Sequence, residues 1–410
     1  MNTAMASEAA YAIGNQRWAR NAPGFVEAIA KAYQNHLRPR CLCQPGGPGV
    51  DMYVARILNG YAVKRMPNTG CQHATNCPSF EPPTEFSGIG PLVGTAIVEN
   101  PVTGMTTLKL DFPMSKLPGR AAQPPSARAS NSVVANGHRL GLRALLHYLW
   151  DQGELTHWKP GFAGRRTWGT VRKHLLQASE NKFVHGHALL GSLYIPEVFS
   201  ATRRQEIDAS RLMQWANCMP HPGQPQRLLL MIAEVKEITP ARVGHRMIIK
   251  HLPDLPLWLS DLLSRRIYIR FERELMQWSM NDSLRLIIIT TLSLNEDRSP
   301  TIHELSLMIA TSEWLPIDDE YEKHLVYHLV IKGRSFIKSL RYDNTESDGS
   351  VCATLLDCGE NPIPLFICRT PEVEESSFVV KTSLRSKNLG EWAWAPHKTS
   401  TPELLSPIDP

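Results

Sequence analysis

The apolar positions of the chain change period several times. From Pro23 to Asn35, Val26, Ile29, Ala30 and Tyr33 recur at helical spacing and predict a helix with one buried face, which Pro23 suits at its first turn. The period falls to two in "MYVARILNGYAVKRM" (52–66), where two β-rich runs meet around Asn59-Gly60 and predict a hairpin. A second hairpin is predicted over 94–112, turning near Pro101 and Gly104. "LPGRAAQPPSARASNS" (117–132) has almost nothing to bury and reads as a linker, "NCMPHPGQPQ" (217–226) as a second break, and residues 399–410 as a frayed tail.

Between the breaks the pattern is helical. Leu142, Leu145, Leu146 and Leu149 form one stripe, and Trp168, Val171, Leu175 and Ala178 a second, with Thr167 placed to cap the second helix. Beyond residue 226 two strands, "RLLLMIAEVKEI" and "HRMIIKHL", lead into a helix over "WLSDLLSRRIYIRFERELMQW". Strands over 284–294 and 302–310 follow, then a helix over 319–333 and three short strands, "SFIKSLRY", "VCATLLD" and "PLFIC".

At 410 residues the chain is too long for one ordinary core, so two or three packing units are expected. A net charge of +5 permits a nucleic-acid partner without demanding one. The N-terminus lacks the basic start and apolar run of a secretion signal, and the longest apolar runs fall far short of a membrane span. A cytoplasmic protein with no membrane partner is therefore expected. Eight cysteines are too sparse for a disulfide scaffold, yet four of them lie between 41 and 77, which in a reducing compartment points to metal.

Cys41 and Cys43 form a close pair, and a second pair lies beyond the hairpin: either Cys71 with His73, or His73 with Cys77 on one helical turn. Thiolates and imidazole in two such pairs suit a tetrahedral zinc ion. The segment 37–85 offers few large apolar residues, and structural zinc contributes about 10 to 16 kcal/mol of apparent binding energy in comparable peptides. No carboxylate is placed to act as a base beside the metal, so the zinc is read as structural and no catalytic residue is assigned.

Between 138 and 174 basic residues outnumber acidic ones. Two helices there suggest a winged-helix or helix-turn-helix unit in which Arg165, Arg166, Arg172 and Lys173, joined by Lys64 and Arg65 near the metal pairs, contact phosphates of nucleic acid, with DNA ahead of RNA. The alternative is a divergent divalent-metal nuclease using Asp357, or Glu234 with Lys236 in "AEVKE". The helix and strands after 319 look like the αβββ core of the restriction-endonuclease superfamily, but Val351-Cys352 and Leu365-Phe366-Ile367 stand where its carboxylates and lysine belong. That region is read as a degenerate copy. A third reading is a protein-interaction scaffold with structural zinc. No glycine-rich phosphate loop, nucleophile elbow or His-Glu-x-x-His helix occurs.

The expected architecture is α+β and multidomain: an N-terminal helix (1–36), a zinc-bound β-hairpin module (37–90), a hairpin (91–116), the linker (117–132), a basic helical, winged-helix-like unit (133–216), an α+β unit (225–316), the nuclease-like unit (317–398) and the tail (399–410).

"RCLC", "MYVARI", "VKRMPNTG", "QHATNCPSFEPP", "LLHYLWDQGELTHWKPGFAGRRTWGTVRKHLLQA", "LYIPEVF", "EVKEITPAR" and "GRSFIKSLRY" together make the chain resemble a bacterial domain-of-unknown-function family, DUF1173, met on conjugative and other mobile elements. The resemblance spans nearly the whole chain. It implies Cys41, Cys43 and Cys77 as a shared set with His73 completing four ligands, leaves Cys71 as an alternative, and implies other mobile-element proteins as partners.

Overall fold

The structure, a computed structural model, describes residues 10–57, 60–117, 139–342, 351–359, 361–369, 392–400 and 402–408. At the front, five antiparallel strands lie in the order Gln16–Ala19, Ala10–Ile13, Arg40–Cys41, Val50–Ile57 and Gly60–Arg65. The last two are the predicted hairpin, with Val54 opposite Val63; Asn59 of its turn is outside the described residues. The first two form a hairpin not anticipated in 1–36, reversing through Gly14 at φ 58°, where glycine carries no Cβ penalty. The helix Phe25–Gln34 buries Phe25, Ile29 and Ala32, while Val26 faces solvent instead of joining the buried stripe. Phe25 stacks on Tyr11 with ring centroids 5.5 Å apart, which rotates the apolar face one position toward the N-terminus.

The second hairpin is present as Ile97–Asn100 and Met105–Leu108. Both central helices form, Leu142–Gln152 and Trp168–Ser179, with the two predicted stripes buried and the Thr167 hydroxyl accepting from the Thr170 amide. The connection between them does not stay within a compact helical unit. Its residues His157–Trp158 form a strand against Phe336–Lys338, at the edge of a sheet that continues through Val351–Leu355, Ile363–Ile367 and Trp392–Trp394.

In residues 229–310 five strands close into a ring. Leu229–Pro240 pairs with His245–Ile249, that strand with Leu252–Leu259, the third in parallel with Pro300–Ala310, the last with Arg285–Leu294, and Arg285–Leu294 again with the first. The long first strand changes partner at a bulge between Val235 and Glu237. Helices Asp261–Arg270 and Glu272–Met280 link the third strand to the fourth. Trp258 and Leu259, read from sequence as the start of a helix, end the third strand instead; Pro253 and Pro256 mask its β pattern. Side chains alternate across the wall: Leu229, Met231 and Ala233 enter one core, Leu230 and Ile232 another that includes the helix Leu142–Gln152.

Those two cores run across the expected boundaries. One joins residues from Leu92 to Tyr342 and the other residues from Trp158 to Trp394, so the segments 91–116, 133–216, 225–316 and 317–398 share buried interiors. Apart from Leu117, the expected linker lies outside the described residues. The tail does not fray throughout: Trp392 Nε1 donates to Glu403 O at 2.7 Å and Ile408 N to Asp357 O at 3.0 Å.

Gly244 closes the turn between the first two strands of the ring at φ 69°, and a Cβ placed on it would lie 1.9 Å from Leu259 O. Both the backbone conformation and the contact exclude a side chain. Gly244→Ala is expected to destabilise the protein by about 1 to 3 kcal/mol, seen as a lower urea midpoint.

Candidate metal centre

The four residues of the centre come from two places that the front sheet brings together. Cys41 sits in a two-residue strand paired on one side with Tyr11 and on the other with Val50, which buries its thiol. Cys43 lies just past that strand, before a turn closed by Gly49 at φ 81°, whose missing side chain leaves room for Cys41 O. The hairpin then returns the chain to a single turn, Gly70–Gln72, after which His73 is extended. A tight turn, Cys77 N to Ala74 O at 2.9 Å, takes the place of the anticipated helical turn and carries Cys77 back beside His73.

The one ligand atom that each of Cys41, Cys43, His73 and Cys77 offers lies within 4.8 Å of all the others. Cys41 Sγ is 3.7 Å from Cys77 Sγ, and His73 Nδ1 is 3.4 Å from Cys43 Sγ and 3.7 Å from Cys77 Sγ. Metal–sulfur bonds of about 2.3 Å and metal–nitrogen bonds of about 2.0 Å at tetrahedral angles separate two sulfurs by about 3.8 Å and sulfur from nitrogen by about 3.5 Å. These residues therefore fit a tetrahedral ion, with Nδ1 as the histidine ligand. Among the described residues, the buried Nε2 of His73 has no hydrogen-bond partner. Cys71 is exposed on the turn and outside the group.

The charge balance also calls for a cation. The hydrogen bond between Cys41 and Cys77 pulls the Cys77 thiol down and, with burial, pushes Cys41 up. Burial raises Cys43 as well. Three crowded thiols cannot all ionise alone, whereas a doubly charged ion allows it. Backbone amides support the sulfurs: Ala74 N donates to Cys43 Sγ at 3.3 Å and Ser79 N to Cys77 Sγ at 3.4 Å. No carboxylate belongs to the group, and Glu81 is ion-paired with Arg65. Four protein ligands leave no open position for a substrate, so the arrangement can hold an ion but offers it nothing to react with.

The six basic residues assigned to phosphate contact fare unequally. Arg65 is held by Glu81. Arg166 donates to the carbonyls of Leu155 and His157 and lies over the rings of Trp158 and Phe162. Arg172 Nε donates to Ile195 O at 2.9 Å. Lys64 is half-buried in the front sheet, and Arg165 and Lys173 are exposed. Elsewhere in the basic block Arg143 is answered by Glu274 at 3.4 Å and Asp318 at 2.5 Å.

Neither carboxylate of the nuclease alternative is open to a divalent ion. Asp357 receives two hydrogen bonds from Arg334, at 2.6 and 3.0 Å, and one from Ser335 N at 2.7 Å. Glu234 is buried between Lys250 at 2.8 Å and Arg285 at 2.9 Å, while Lys236 stands exposed at the bulge. Sequence reasoning missed a charged cluster at the start of the helix Glu320–Ile331: Glu322 is buried against Lys338 at 3.1 Å, Arg341 at 2.7 Å and Arg369 at 3.5 Å. The acidic run "DDEYE" reads as an ordinary helix N-terminus, so nothing in it marks one carboxylate as internal.

Among the described residues no helix is long and apolar enough to cross a membrane. No curated protein and no solved structure matches the chain. Residues 11–397 match the family described as "Protein of unknown function (DUF1173)".

Proposed function

The chain belongs to the DUF1173 family, and from that premise we propose that it is a non-catalytic binding factor whose front sheet is folded by one structural zinc ion and whose partner is nucleic acid. The observation that carries the metal is the convergence of three sulfurs and one imidazole nitrogen at tetrahedral separations. Zinc suits that donor set best, because thiolate and imidazole are its usual structural ligands and it imposes no other geometry. The nucleic-acid partner is supported by the net charge of +5 and by the exposed Arg165 and Lys173. A cytoplasmic setting on a mobile element, alongside other proteins of that element, completes the reading. Elemental analysis of the purified protein is expected to find one zinc per chain; a chain free of transition metal that retains its near-ultraviolet circular dichroism would refute the zinc, and absence of binding to any nucleic acid at low salt would refute the partner.

A further inference from the structure

The ring of five strands has a specific connectivity. Numbered along the chain, its strands close in the order one, two, three, five, four and back to one, with three and five parallel and a helical link between three and four. That is the connectivity of the oligonucleotide- and oligosaccharide-binding barrel, including a long first strand that serves two partners through a bulge. Such barrels bind ligands on the outer face of strands two and three. A shared connectivity does not establish a shared ligand, so the residues on that face must decide it.

The face here is laid out by register. Thr239 lies opposite Arg246, Arg246 opposite Trp258, and Trp258 opposite Thr301, so the four form one row across four strands on the same side of the sheet. Met247 and Leu257, the next pair, point the other way and are buried in the barrel. Trp258 is 54% exposed, whereas none of the other nine tryptophans is an exposed residue. A large aromatic standing out of the end of a strand costs solubility unless it has something to cover it. Exposed cations stand on the neighbouring strands and loop: Arg246 in the row beside it, Lys236 at the bulge of strand one, next to the half-buried Glu237, and Arg242 in the loop between strands one and two. Among the described residues none of the three has an ion-pair partner, while Asp254 on the third strand is paired with Arg204 at 3.1 Å.

We infer that this face binds single-stranded nucleic acid, with Trp258 stacking on a base and Arg246, Lys236 and Arg242 holding the flanking phosphates. The inference deepens the nucleic-acid reading above by assigning it a site and a strandedness. Flat aromatic rings bound to a negatively charged backbone match an exposed tryptophan with Arg246 beside it and further cations on the adjoining strand and loop, and only an unpaired strand can present the face of a base. An uncharged sugar chain would satisfy the tryptophan but leave the three cations without a role.

The test measures fluorescence anisotropy of a labelled oligo-dT of about 15 nucleotides, and of a duplex of the same length, with full-length zinc-loaded protein at low and moderate salt. Oligo-dT is expected to bind more tightly than duplex. Trp258→Ala should weaken it about 10-fold or more, Trp258→Phe should keep most of the affinity, and Arg246→Ala should weaken it and flatten its salt dependence. If oligo-dT binds but Trp258→Ala and Arg246→Ala bind as well as wild type, this site is refuted and the wider nucleic-acid reading stands. If neither oligonucleotide binds at low salt, both fall.

Discussion

Cys77→Ser is expected to abolish metal binding and to unfold the front sheet while the barrel remains folded. The buried core of that sheet is small: Tyr11, Ile13, Phe25, Ile29, Val50, Met52, Val54 and Phe80 are its larger apolar members, with Ile337 reaching in from the C-terminal sheet, and Cys41 and Cys77 themselves belong to it. Such a core contributes only a few kcal/mol net of chain entropy, against about 10 to 16 kcal/mol of apparent binding energy from a structural zinc. Without the ion, buried thiols and a buried imidazole lose the partner that justifies their burial. Hydrogen exchange should show amides of Ala10–Ile13, Arg40–Cys41 and Val50–Ile57 losing protection, with those of Arg285–Leu294 unaffected. A strong chelator should reproduce the effect, and Cys71→Ser should change neither metal content nor exchange. Full protection of the front sheet in metal-free protein would show that the ion is dispensable for folding.

The second large effect is expected from Glu322→Ala, a loss of about 3 to 5 kcal/mol of stability, because it leaves the buried Lys338 ammonium without its ion-pair partner, while Arg341 and Arg369 keep Asp318 and Asp319. The Glu322 side chain is fully buried and that of Lys338 is 3% exposed, so Lys338 cannot turn to water for compensation. The same cluster predicts a pH dependence. Burial alone would raise the carboxyl of Asp318, but Arg143, Arg341 and Lys338 together hold it well below the usual carboxylate range. A carboxyl depressed on folding stabilises the protein above its unfolded value of about 3.9, and that stability is lost as pH falls below it. Urea midpoints should therefore fall between about pH 5 and pH 2, and Asp318→Asn should flatten that slope. A midpoint in Glu322→Ala within 0.5 kcal/mol of wild type would mean that the cluster is not stabilising.

What could be read from the sequence was local. Cys41 with Cys43 and His73 with Cys77 are short spacings around a hairpin whose own two strands are adjacent in sequence, so the metal group needed no knowledge of the rest of the fold. The stripes of the two central helices were legible for the same reason. The ring was not, because its closing pair joins Leu229 to Leu292 across more than sixty residues, and because prolines disguise its third strand. Charge was likewise legible only locally. The basic excess around 138–174 is real locally, but Glu274 and Asp318 neutralise part of it from distant segments, and the carbonyls of Leu155 and Ile195 occupy Arg166 and Arg172. Trp258 drew no notice because a tryptophan in an apolar run is usually buried, and only the register shows it facing outward.

The two-residue strand His157–Trp158 has a consequence for how the polypeptide can be made or cut. It caps one margin of the C-terminal sheet, yet it is synthesised well before the Phe336–Lys338 strand it must meet. During synthesis that meeting waits until the ribosome has passed residue 338, a long-range closure that slows maturation. A fragment beginning after residue 158 would leave unclaimed those backbone groups of Phe336–Lys338 that face away from Val351–Leu355, and two such fragments would be prone to join along that margin into higher-order species.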